Sequence, residues 1–457
     1  MSEHDAIVIG AGPAGEVCAS RLAGEGLDVA IVERELVGGE CAFWACMPSK
    51  ALLRPAELLA EVKRVPGARE AVTGELSPSS VLTRRDEVIH ELDDSRALPW
   101  LQDRGITLYR GQARLDGPRR VRVGDTVHEA RRAVVLAVGS GAAIPPVPGL
   151  QEIAPWTNRE GTTATSVPER ITVLGGGAVG CELSQAWASL GARVTLVEAQ
   201  GTLIPGEEHF AAQQLAESLR ERGVDVRVGT QATAAARGDA GTFTLTLDDG
   251  ASVESDELLV AVGRRPHTDD LGLETVDLAP GETIDVDNQM RVTAASHRDW
   301  LYAVGDVNGR ALITHAGKYQ ALIAAATIMN RPASADWDGP RSPRVVFTEP
   351  QIAAVGYTLA QALERGIPAR ALDADPGATA GASFIGKGAP SGARIVVDEQ
   401  REVIVGATFS GPDIAESLHA ATIAIVGEVR LRRLVHAIPA FPTRSEVWLR
   451  LLDPWAP

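Results

Sequence analysis

The sequence is poor in cysteine, poor in basic residues and without any long apolar run. Four cysteines in 457 residues are too few for the disulfide framework of a secreted scaffold. Lysine and arginine number 44 against 60 acidic residues, and the net charge of −16 opposes general affinity for nucleic acid or an anionic membrane surface. No apolar run reaches the ~18–20 residues of a membrane span. We therefore predict partners that are neither nucleic acid nor membrane.

What is present is ordinary globular composition. Apolar residues make up 45% and charged residues 23% of the chain, which excludes a mainly disordered, collagenous or coiled-coil protein. The length allows two to four domains of about 100–200 residues each. The chain starts directly in a strand pattern, without a basic leader segment, and we expect a cytoplasmic location.

The N-terminal segment has the pattern of a dinucleotide-binding fold. An apolar strand, Asp5–Ile9, is followed by Gly10, Gly12 and Gly15 and then by a helical stretch. In such folds the first glycine allows a tight turn, the second lets a pyrophosphate approach the backbone, and the third lets helix and strand pack closely. The next strand ends at Glu33, where a carboxylate can accept hydrogen bonds from ribose hydroxyls.

The same pattern recurs further along the chain. Gly175, Gly177 and Gly180 follow the strand Ile171–Leu174, and the next strand ends at Glu198. The first glycine and the glutamate are 23 residues apart in both motifs. A single GxGxxG match is weak evidence, but two copies in strand–loop–helix context predict two nucleotide-binding units.

Three more strand ends carry candidate ligand residues. Two matched apolar runs end at Gly139 and Gly263, and a third run, at 301–305, is followed by Asp306. In open α/β sheets, ligands bind beyond the carboxyl ends of the strands. We therefore predict that these three residues border bound nucleotides.

The predicted fold class is α/β, with two Rossmann-like dinucleotide-binding domains and an α+β C-terminal domain for association. Residues 1–150 and 281–335 are assigned to the first nucleotide-binding domain, and 151–280 to the second. The third domain, 340–457, alternates strands and helices without a nucleotide motif. The proline-rich stretch 143–149 cannot continue a helix or a sheet, so it is predicted to connect domains.

Cys41 and Cys46 are the two cysteines that are candidates for a redox or metal-binding role. In a regular helix their Cα atoms would be roughly 8.6 Å apart, whereas a disulfide requires about 4.4–6.8 Å. They can form a bridge only if this turn departs from helical geometry. Two cysteines are at most half a metal site, and we predict no metal. Cys18 and Cys181 follow the glycine motifs on helices and are interpreted as buried packing residues.

The segment Gly38–Lys50 carries a family resemblance. Its pattern, Gly-Gly-x-Cys-x4-Cys-x-Pro-Ser-Lys, resembles the class I pyridine nucleotide–disulfide oxidoreductases, such as dihydrolipoamide dehydrogenase, glutathione reductase and mercuric reductase. Further family motifs follow in family order at 260–266, 302–307 and 346–356. The resemblance covers nearly the whole chain.

The resemblance implies FAD in the first nucleotide-binding unit and NADH or NADPH in the second. NADH is predicted to be preferred, because the carboxylate of Glu198 would repel a 2′-phosphate. The predicted cofactor-binding residues are Gly10, Gly12, Gly15, Glu33, Lys50, Gly139, Asp306, Gly175, Gly177, Gly180, Glu198 and Gly263.

The resemblance also implies catalytic roles and a homodimer whose subunits share the active site. Cys46 would be the thiol beside the flavin, and Cys41 the interchange thiol that meets the substrate. Lys50 and Glu182 resemble the ion pair near the flavin N5 atom, where a cation favours reduced flavin.

The chain departs from the family at its C-terminal signature, His-Pro-Thr-x-Ser-Glu. The matching stretch keeps the glutamate, Glu446, but has Phe441 in place of the histidine. Phenylalanine can neither exchange a proton nor stabilise a thiolate. His436 does not align with the missing base. Together with Phe43 and Trp44, Phe441 is predicted to form an apolar floor at the substrate-side thiol.

The substitution resembles one branch of the family, 2-ketopropyl coenzyme M oxidoreductase/carboxylase, which cleaves a carbon–sulfur bond. That branch also alters the glutamate, which is retained here as Glu446, so the match is partial. The cysteine shuttles of mercuric reductase and the large thioredoxin reductases are excluded, because no cysteine follows Cys181.

The sequence therefore predicts an FAD-dependent NAD(P)H oxidoreductase that reduces the Cys41–Cys46 disulfide and passes electrons to a small, apolar disulfide. Reductive cleavage or carboxylation of a thioether is the first alternative. A quinone or diaphorase-type reductase is the second, and a flavin-bound NADH sensor without turnover is the third.

Overall fold

The structure is a computed structural model that describes residues 2–297 and 299–456. The strands are β1 (Ser2–Ile9), β2 (Val29–Glu33), β3 (Thr107–Arg110), β4 (Ala113–Leu115), β5 (Arg120–Val123), β6 (Thr126–Leu136), β7 (Ser140–Ala142), β8 (Arg170–Leu174), β9 (Arg193–Glu198), β10 (Asp225–Val228), β11 (Ala232–Arg237), β12 (Phe243–Leu247), β13 (Ser252–Ser255), β14 (Glu257–Val260), β15 (Arg264–Pro266), β16 (Leu301–Ala303), β17 (Arg344–Val346), β18 (Gln351–Gly356), β19 (Ala369–Ala374), β20 (Gly392–Asp398) and β21 (Val403–Gly411).

The α-helices are α1 (Pro13–Gly24), α2 (Gly39–Phe43), α3 (Cys46–Arg64), α4 (Pro78–Val88), α5 (Ala97–Asp103), α6 (Asn158–Thr163), α7 (Ala178–Ser189), α8 (His209–Glu221), α9 (Thr314–Ile328), α10 (Leu359–Glu364), α11 (Leu418–Val426), α12 (Leu431–Leu434) and α13 (Val447–Leu451). Short 3-10 turns connect several of them. None of the helices within the described ranges is long and apolar enough to cross a membrane.

The chain divides into two compact units. Unit 1 contains the chain up to Pro48 together with Asp86–Ala143 and Arg264–Ser342. Unit 2 contains Ser49–Arg85, Ile144–Gly263 and the chain from Pro343 onward. This division groups segments by packing, and the domain boundaries predicted from nucleotide motifs stay a prediction.

Unit 1 is built on a parallel sheet that ends in an antiparallel meander. The strands run in the order β3-β2-β1-β6-β5-β4. In addition, β16 pairs in parallel with the C-terminal part of β6, at residues 134–136. β2 is buried throughout, and β1 and β6 are apolar and buried over their last four residues, 6–9 and 133–136, as expected for parallel strands covered on both faces. α1 and α9 pack against each other and against one face of this sheet, with Cys18, Leu22 and Ala321 in the core.

Unit 2 contains a second parallel sheet and two antiparallel sheets. The parallel sheet has the order β10-β9-β8-β14, and a three-stranded meander, β11-β12-β13, accompanies it. The C-terminal part has five antiparallel strands in the order β17-β18-β21-β20-β19. The predicted fold class, two Rossmann-like units and an α+β C-terminal part, is confirmed.

Candidate active site

The first glycine-rich loop, between β1 and α1, is packed as a dinucleotide loop requires. Gly10 has φ +101°, and a Cβ added there would lie 2.4 Å from the carbonyl oxygen of Ala137. A Cβ on Gly15 would lie 1.9 Å from the carbonyl oxygen of Gly10, so helix and strand approach closely only because it is absent. Gly12 differs, because no atom of the described residues lies within 4 Å of an added Cβ.

The N-terminus of α1 fits the phosphates of FAD. Gly12 is its N-cap residue, with extended backbone, and no side chain of the described chain caps the first-turn amides. Uncapped amides at the positive end of a helix are what a pyrophosphate needs. The buried carboxylate of Glu33 accepts hydrogen bonds from the amides of Ala11 (2.7 Å) and Glu35 (2.8 Å), which fixes it beside the loop.

Asp306 is held by two residues of unit 1 that the sequence did not assign to the site. The Ser140 hydroxyl donates a hydrogen bond of 2.6 Å to its carboxylate, and Arg264 Nε lies 3.2 Å from the same oxygen. The Arg264 guanidinium also donates to Ser140 Oγ and to the Ser140 carbonyl, both at 2.7 Å. The only sequence signal was the position of Arg264 directly after the run that ends at Gly263.

The second glycine-rich loop, between β8 and α7, repeats this geometry in unit 2. A Cβ on Gly175 would lie 2.5 Å from the carbonyl oxygen of Ala261, and one on Gly180 would lie 1.8 Å from that of Gly175. No described atom comes within 4 Å of a Cβ on Gly177, which is the uncapped N-cap residue of α7.

Glu198 ends β9 as Glu33 ends β2. Its carboxylate accepts hydrogen bonds from the amides of Gly176 (2.6 Å) and Gln200 (2.7 Å). The loop and this carboxylate therefore fit a second dinucleotide. Gly139 follows β6 and Gly263 follows β14. At each, no atom of the described residues lies within 4 Å of an added Cβ.

The two candidate redox cysteines lie on either side of a break between helices. Cys41 lies in α2, Cys46 begins α3, and Trp44 between them has φ −133° and ψ 0°, so the turn departs from helical geometry as a bridge would require. Both cysteines are half-buried, and their side chains hydrogen-bond to each other. Phe43 is only 4% exposed and belongs to the core, which leaves Trp44 as the accessible aromatic of this segment.

The first turn of α9 is a part of the site that the sequence did not reveal. Thr314 Oγ1 lies 3.4 Å from Cys46 Sγ. The hydrogen bond with Cys46 and burial raise the pKa of the Cys41 thiol far above its ordinary value, whereas the Thr314 hydroxyl and the Lys318 ammonium act in the opposite direction. Burial raises the pKa of Glu16, on α1, to about 7, again opposed by Lys318.

The remaining cysteines are packing residues, as predicted. Cys18 and Cys181 are both fully buried. Burial raises the pKa of Cys18 to about 12, and it raises the pKa of Cys181 as well. A thiol that stays protonated inside a core is inert.

Lys50 and Glu182 form a close ion pair within unit 2. The Lys50 ammonium lies 2.7 Å from Glu182 Oε2 and 4.8 Å from the centre of the Phe347 ring. Glu182 is buried, and its other oxygen accepts a hydrogen bond of 2.9 Å from the Phe347 amide. The carboxylate is thus fixed, and it holds a partly exposed cation in one place.

The C-terminal segment contains an exposed phenylalanine and a buried carboxylate oxygen. The side chain of Phe441 is 76% exposed. Oε2 of Glu446 is buried and has no hydrogen-bond partner among the described residues. Leaving a buried oxygen of a carboxylate unpaired costs free energy, so a hydrogen-bond donor placed beside this atom would be stabilised.

Comparison with protein families gives two matches that together cover most of the chain. Residues 4–327 match the model of the pyridine nucleotide-disulphide oxidoreductases, and residues 342–451 match the dimerisation domain of the same family. The chain therefore carries the family's dimerisation domain.

Individual relatives agree with this assignment. The chain is 32% identical to a mercuric reductase from Acidithiobacillus ferrooxidans, over 96% of this chain and 80% of that protein. It is also 32% identical to a dihydrolipoyl dehydrogenase from Thermus scotoductus, over 98% and 96% of the two chains.

Among solved structures, LpdA from Mycobacterium tuberculosis shares the fold. The TM-score is 0.86 at 24% identity, with 100% of both chains covered. From the family models and these relatives, the chain belongs to the class I pyridine nucleotide–disulfide oxidoreductases, flavoprotein enzymes that use FAD and NAD(P)H.

Proposed function

We propose that this oxidoreductase passes two electrons from NADH through FAD to the Cys41–Cys46 pair and on to the disulfide of a small, apolar thiol. The acceptor is the part of the proposal that goes beyond the family. It rests on the C-terminal segment, where Phe441 stands at the position of the family's histidine and Oε2 of Glu446 is buried without a partner among the described residues.

The two nucleotide loops supply the cofactor sites of this proposal. The uncapped amides of α1, with Glu33 and Asp306, would hold FAD, and those of α7, with Glu198, would hold NADH. FAD bound there would supply the two-electron chemistry that links hydride transfer from the nicotinamide to reduction of the disulfide. The protein's own task is to orient both dinucleotides and to keep the two sulfurs together.

The thiol chemistry balances with one disulfide reduced per NADH. Two electrons and two protons break the Cys41–Cys46 bond and leave two thiol groups. The Cys41 thiolate attacks the substrate disulfide, forms a mixed disulfide and expels one substrate thiolate, which takes a proton. Cys46 then attacks Cys41, releases the second substrate thiol and restores the protein disulfide.

Lys50 is proposed to act on the flavin through its charge. A cation near N5 favours the reduced, electron-rich flavin. The pairing with Glu182 at 2.7 Å and the stacking over Phe347 would fix its position. Because the side chain of Glu182 is only 6% exposed, the pair is weakly screened by water and salt.

The proposed preference for NADH rests on the charge of Glu198 and, to a small extent, on the ion pair that Arg193 forms. Glu198 would bond the ribose hydroxyls of NADH and repel the 2′-phosphate of NADPH. Arg193 is the nearby cation in sequence that could attract that phosphate. Its guanidinium pairs with a carboxylate oxygen of Glu169 at 2.5 Å, and both side chains are exposed, so this pair weakens the attraction only slightly.

The absence of a histidine base favours an apolar substrate. Without an imidazole, no group at position 441 exchanges a proton with the leaving thiolate, so ordinary polar disulfides would react slowly. The exposed ring of Phe441 and the half-buried Trp44 offer apolar surface instead. Burying such surface is worth about 25 cal/mol per Å², which favours a substrate that covers both rings.

A shared site would require two copies of the chain. The match to the family's dimerisation domain supports a homodimer. The same part of the chain exposes large apolar side chains that a second copy would bury, namely Ile423, Val426, Ile438, Phe441 and Leu449. We propose that Phe441 of one protomer reaches the thiols of the other, as the family pattern implies.

Replacing Phe441 with histidine tests the proposal. Because Glu446 is still present to orient an imidazole, we expect Phe441→His to raise NADH-dependent reduction of small, generic disulfides, and a positioned acid–base group contributes about 10²–10⁴-fold. Phe441→Leu, which stays apolar, should give no gain, and Glu446→Gln in the histidine background should remove it. An unchanged rate with every disulfide would mean that the ring lies outside the site, and the apolar acceptor would be wrong.

A second candidate, reductive cleavage of a thioether, is favoured by the same phenylalanine. Attack of the Cys41 thiolate on the thioether sulfur forms a mixed disulfide and expels a carbanion, which takes carbon dioxide or a proton. An imidazolium would protonate that carbanion, whereas Phe441 would not. Phe441→His should then lower carboxylation of a thioether while it raises disulfide reduction, and the sign of the change separates the two candidates.

A further inference from the structure

The C-terminal part of unit 2 contains a cavity whose lining residues have no role in the proposed electron path. Its volume is about 340 Å³, and it is lined by residues of the segments 376–391 and 411–414 and by Arg444. Much of its wall is apolar, with Ala378, Pro412 and Ile414 among the lining residues. A cavity of this size and lining suits a small organic molecule.

Both charged side chains that line this cavity are cations. They are Lys387 and Arg444, and no aspartate or glutamate of the described residues lines it, although the chain as a whole has a net charge of −16. Arg444 donates hydrogen bonds to the carbonyl oxygens of Pro412 and Asp413, which fix its largely buried guanidinium at the wall. The Asp413 carboxylate lies 3.5 Å from this guanidinium but is 65% exposed, so it neutralises the cation only in part. Lys387 is exposed and has no ion-pair partner among the described residues.

The loop that carries Lys387 leaves its backbone amides open. Gly386 and Gly388 have φ +88° and +82°, which glycine adopts without the strain that other residues would suffer. Residues 386–389 all line the cavity, and none of their amides donates a hydrogen bond to another described residue. Successive unpaired amides in a turn form a concave binding site for anions, so the loop adds backbone donors to the two cations.

The inner side of this loop is fixed by its packing. A Cβ on Gly386 would lie 2.4 Å from the carbonyl oxygen of Arg64, whereas no described atom lies within 4 Å of one on Gly388. The side chain of Gln214 donates a hydrogen bond of 3.1 Å to the carbonyl oxygen of Ser391. The loop is therefore held in place before any ligand arrives, which lowers the entropic cost of binding.

We propose that this cavity binds a small anionic molecule, whose carboxylate or phosphate group contacts Lys387, Arg444 and the amides of residues 386–389. The remainder of the ligand lies against the apolar wall. Two sources have this chemistry. One is the acidic end of the disulfide substrate, since Arg444 lies three residues after Phe441, and the other is a separate metabolite. Only the first of these rests on the proposed function.

The test is isothermal titration calorimetry of the FAD-bound enzyme with phenyl phosphate, which combines a phosphate group with one aromatic ring. Saturating NAD⁺ is present throughout, so that the second glycine-rich loop is filled and does not bind the probe. We expect one phenyl phosphate to bind per chain. Benzyl alcohol, which has the ring without the charge, should show no binding. Sodium chloride should weaken the binding of phenyl phosphate, because Lys387 is exposed and salt screens its charge.

Two substitutions and two matched controls assign the binding to this cavity. Lys387→Gln removes one cation and should weaken the binding of phenyl phosphate by about 5-fold, as for loss of an exposed charge pair, whereas Lys387→Arg, which keeps the charge, should not. Gly388→Ala disfavours the positive φ of the loop and should also weaken binding. Lys63→Gln changes an exposed lysine of α3 that does not line the cavity, and Gly366→Ala changes a glycine with φ +74° and the same open space. Both controls should leave the dissociation constant unchanged.

The proposal is overturned if phenyl phosphate does not bind or if benzyl alcohol binds equally tightly. It is also overturned if Lys387→Gln and Gly388→Ala both bind like the unmodified enzyme, or if either control weakens binding as much as the variant that it matches. The calorimetric test needs neither turnover nor an electron acceptor.

Turnover at saturating NADH identifies the source of the anion. If the substrate supplies it, phenyl phosphate should inhibit competitively against an aromatic disulfide that carries carboxylates and should leave reduction of a neutral pyridyl disulfide unaffected. If a separate molecule supplies it, phenyl phosphate should leave the KM of both disulfides unchanged. Either result upholds the site. Binding as described, in an enzyme that reduces neither disulfide, would uphold the site as well and count against the proposed function alone.

Discussion

The two glycine-rich loops of this chain are built alike down to single contacts. In each, a Cβ on the first glycine would meet a carbonyl oxygen at 2.4 or 2.5 Å, and one on the third glycine would meet the carbonyl of the first at 1.9 or 1.8 Å. In each, a glutamate at a strand end accepts two backbone amides at 2.6–2.8 Å. The backbone geometry is therefore dictated by the glycines and the strand-end glutamate.

The loops differ in the side chains that surround them. The residue after the third glycine is Glu16 in α1 and Cys181 in α7. The segment after β2 carries the thiol pair, whereas α7 carries Glu182, which pairs with Lys50. The repeated fold thus provides two equivalent glycine-rich loops. The chemistry near each loop comes from residues that differ between the two copies.

The largest expected effect comes from blocking each glycine-rich loop separately, because each loop should bind a different dinucleotide. Gly12→Val and Gly177→Val place a side chain where a ligand approaches but where no described atom lies within 4 Å, so both variants should fold. The first should lose FAD, and the second should keep FAD but lose its reduction by NADH. Flavin absorbance after purification and anaerobic bleaching by NADH measure the two outcomes. Full FAD occupancy in Gly12→Val would contradict the assignment of the first loop.

A smaller effect should distinguish the two strand-end glutamates. Glu198→Gln keeps the shape but removes the charge, so we expect kcat/KM for NADH to fall by about 10-fold, as for loss of a charge-assisted hydrogen bond. The ratio of NADPH to NADH activity should rise, because the repulsion of a 2′-phosphate is gone. Glu33→Gln, its counterpart in unit 1, should weaken FAD retention without changing that ratio. A native enzyme that prefers NADPH would show the interpretation of Glu198 to be wrong.

The smallest effect concerns Glu16, which has no acidic counterpart after the third glycine of α7. Its pKa is raised to about 7, mainly by burial, so the folded protein binds a proton that the unfolded chain releases above pH ~4.5. The associated stability is fully present below that pH and is lost as the pH rises through about 7. Glu16→Gln should therefore raise the thermal midpoint by a few degrees at pH 8 and hardly at pH 5.

The exposed Glu25, the C-cap residue of the same helix, provides the matched control for that measurement. Its pKa is lowered by the hydrogen bond with Arg331, so Glu25→Gln should give no gain at pH 8. An equal gain from both variants would mean that general surface charge, and not the burial of Glu16, is responsible.

Local parts of the fold could be predicted from the sequence. The strands end at Glu33 and Glu198 as the spacing predicted, because a strand, a glycine turn and a helix are dictated by neighbouring residues. Burial of Cys18 and Cys181 followed from their positions on the helices after the glycine motifs. The break in helical geometry between Cys41 and Cys46 could be stated only as a condition, since spacing alone allows a continuous helix.

Contacts between distant segments could not be predicted. Thr314 lies 268 residues from Cys46, and a threonine before a helical run is more typical of a cap. The partners of Asp306 were missed for the same reason, because Ser140 lies 166 residues away. Phe43 was predicted to form part of an apolar floor at the substrate-side thiol, yet its side chain is buried, since the pattern gives the residue type but not the face on which it packs.

The central claim is that electrons from NADH reach the Cys41–Cys46 pair. The most direct test is anaerobic titration of the oxidised holoenzyme with NADH, followed by alkylation and mass spectrometry of each cysteine. We expect two thiols per chain to appear, at Cys41 and Cys46, and we expect that in Cys41→Ser the flavin is still reduced while no pair of thiols is released. Bleaching of the flavin in the unmodified enzyme without the appearance of these two thiols would contradict the central claim.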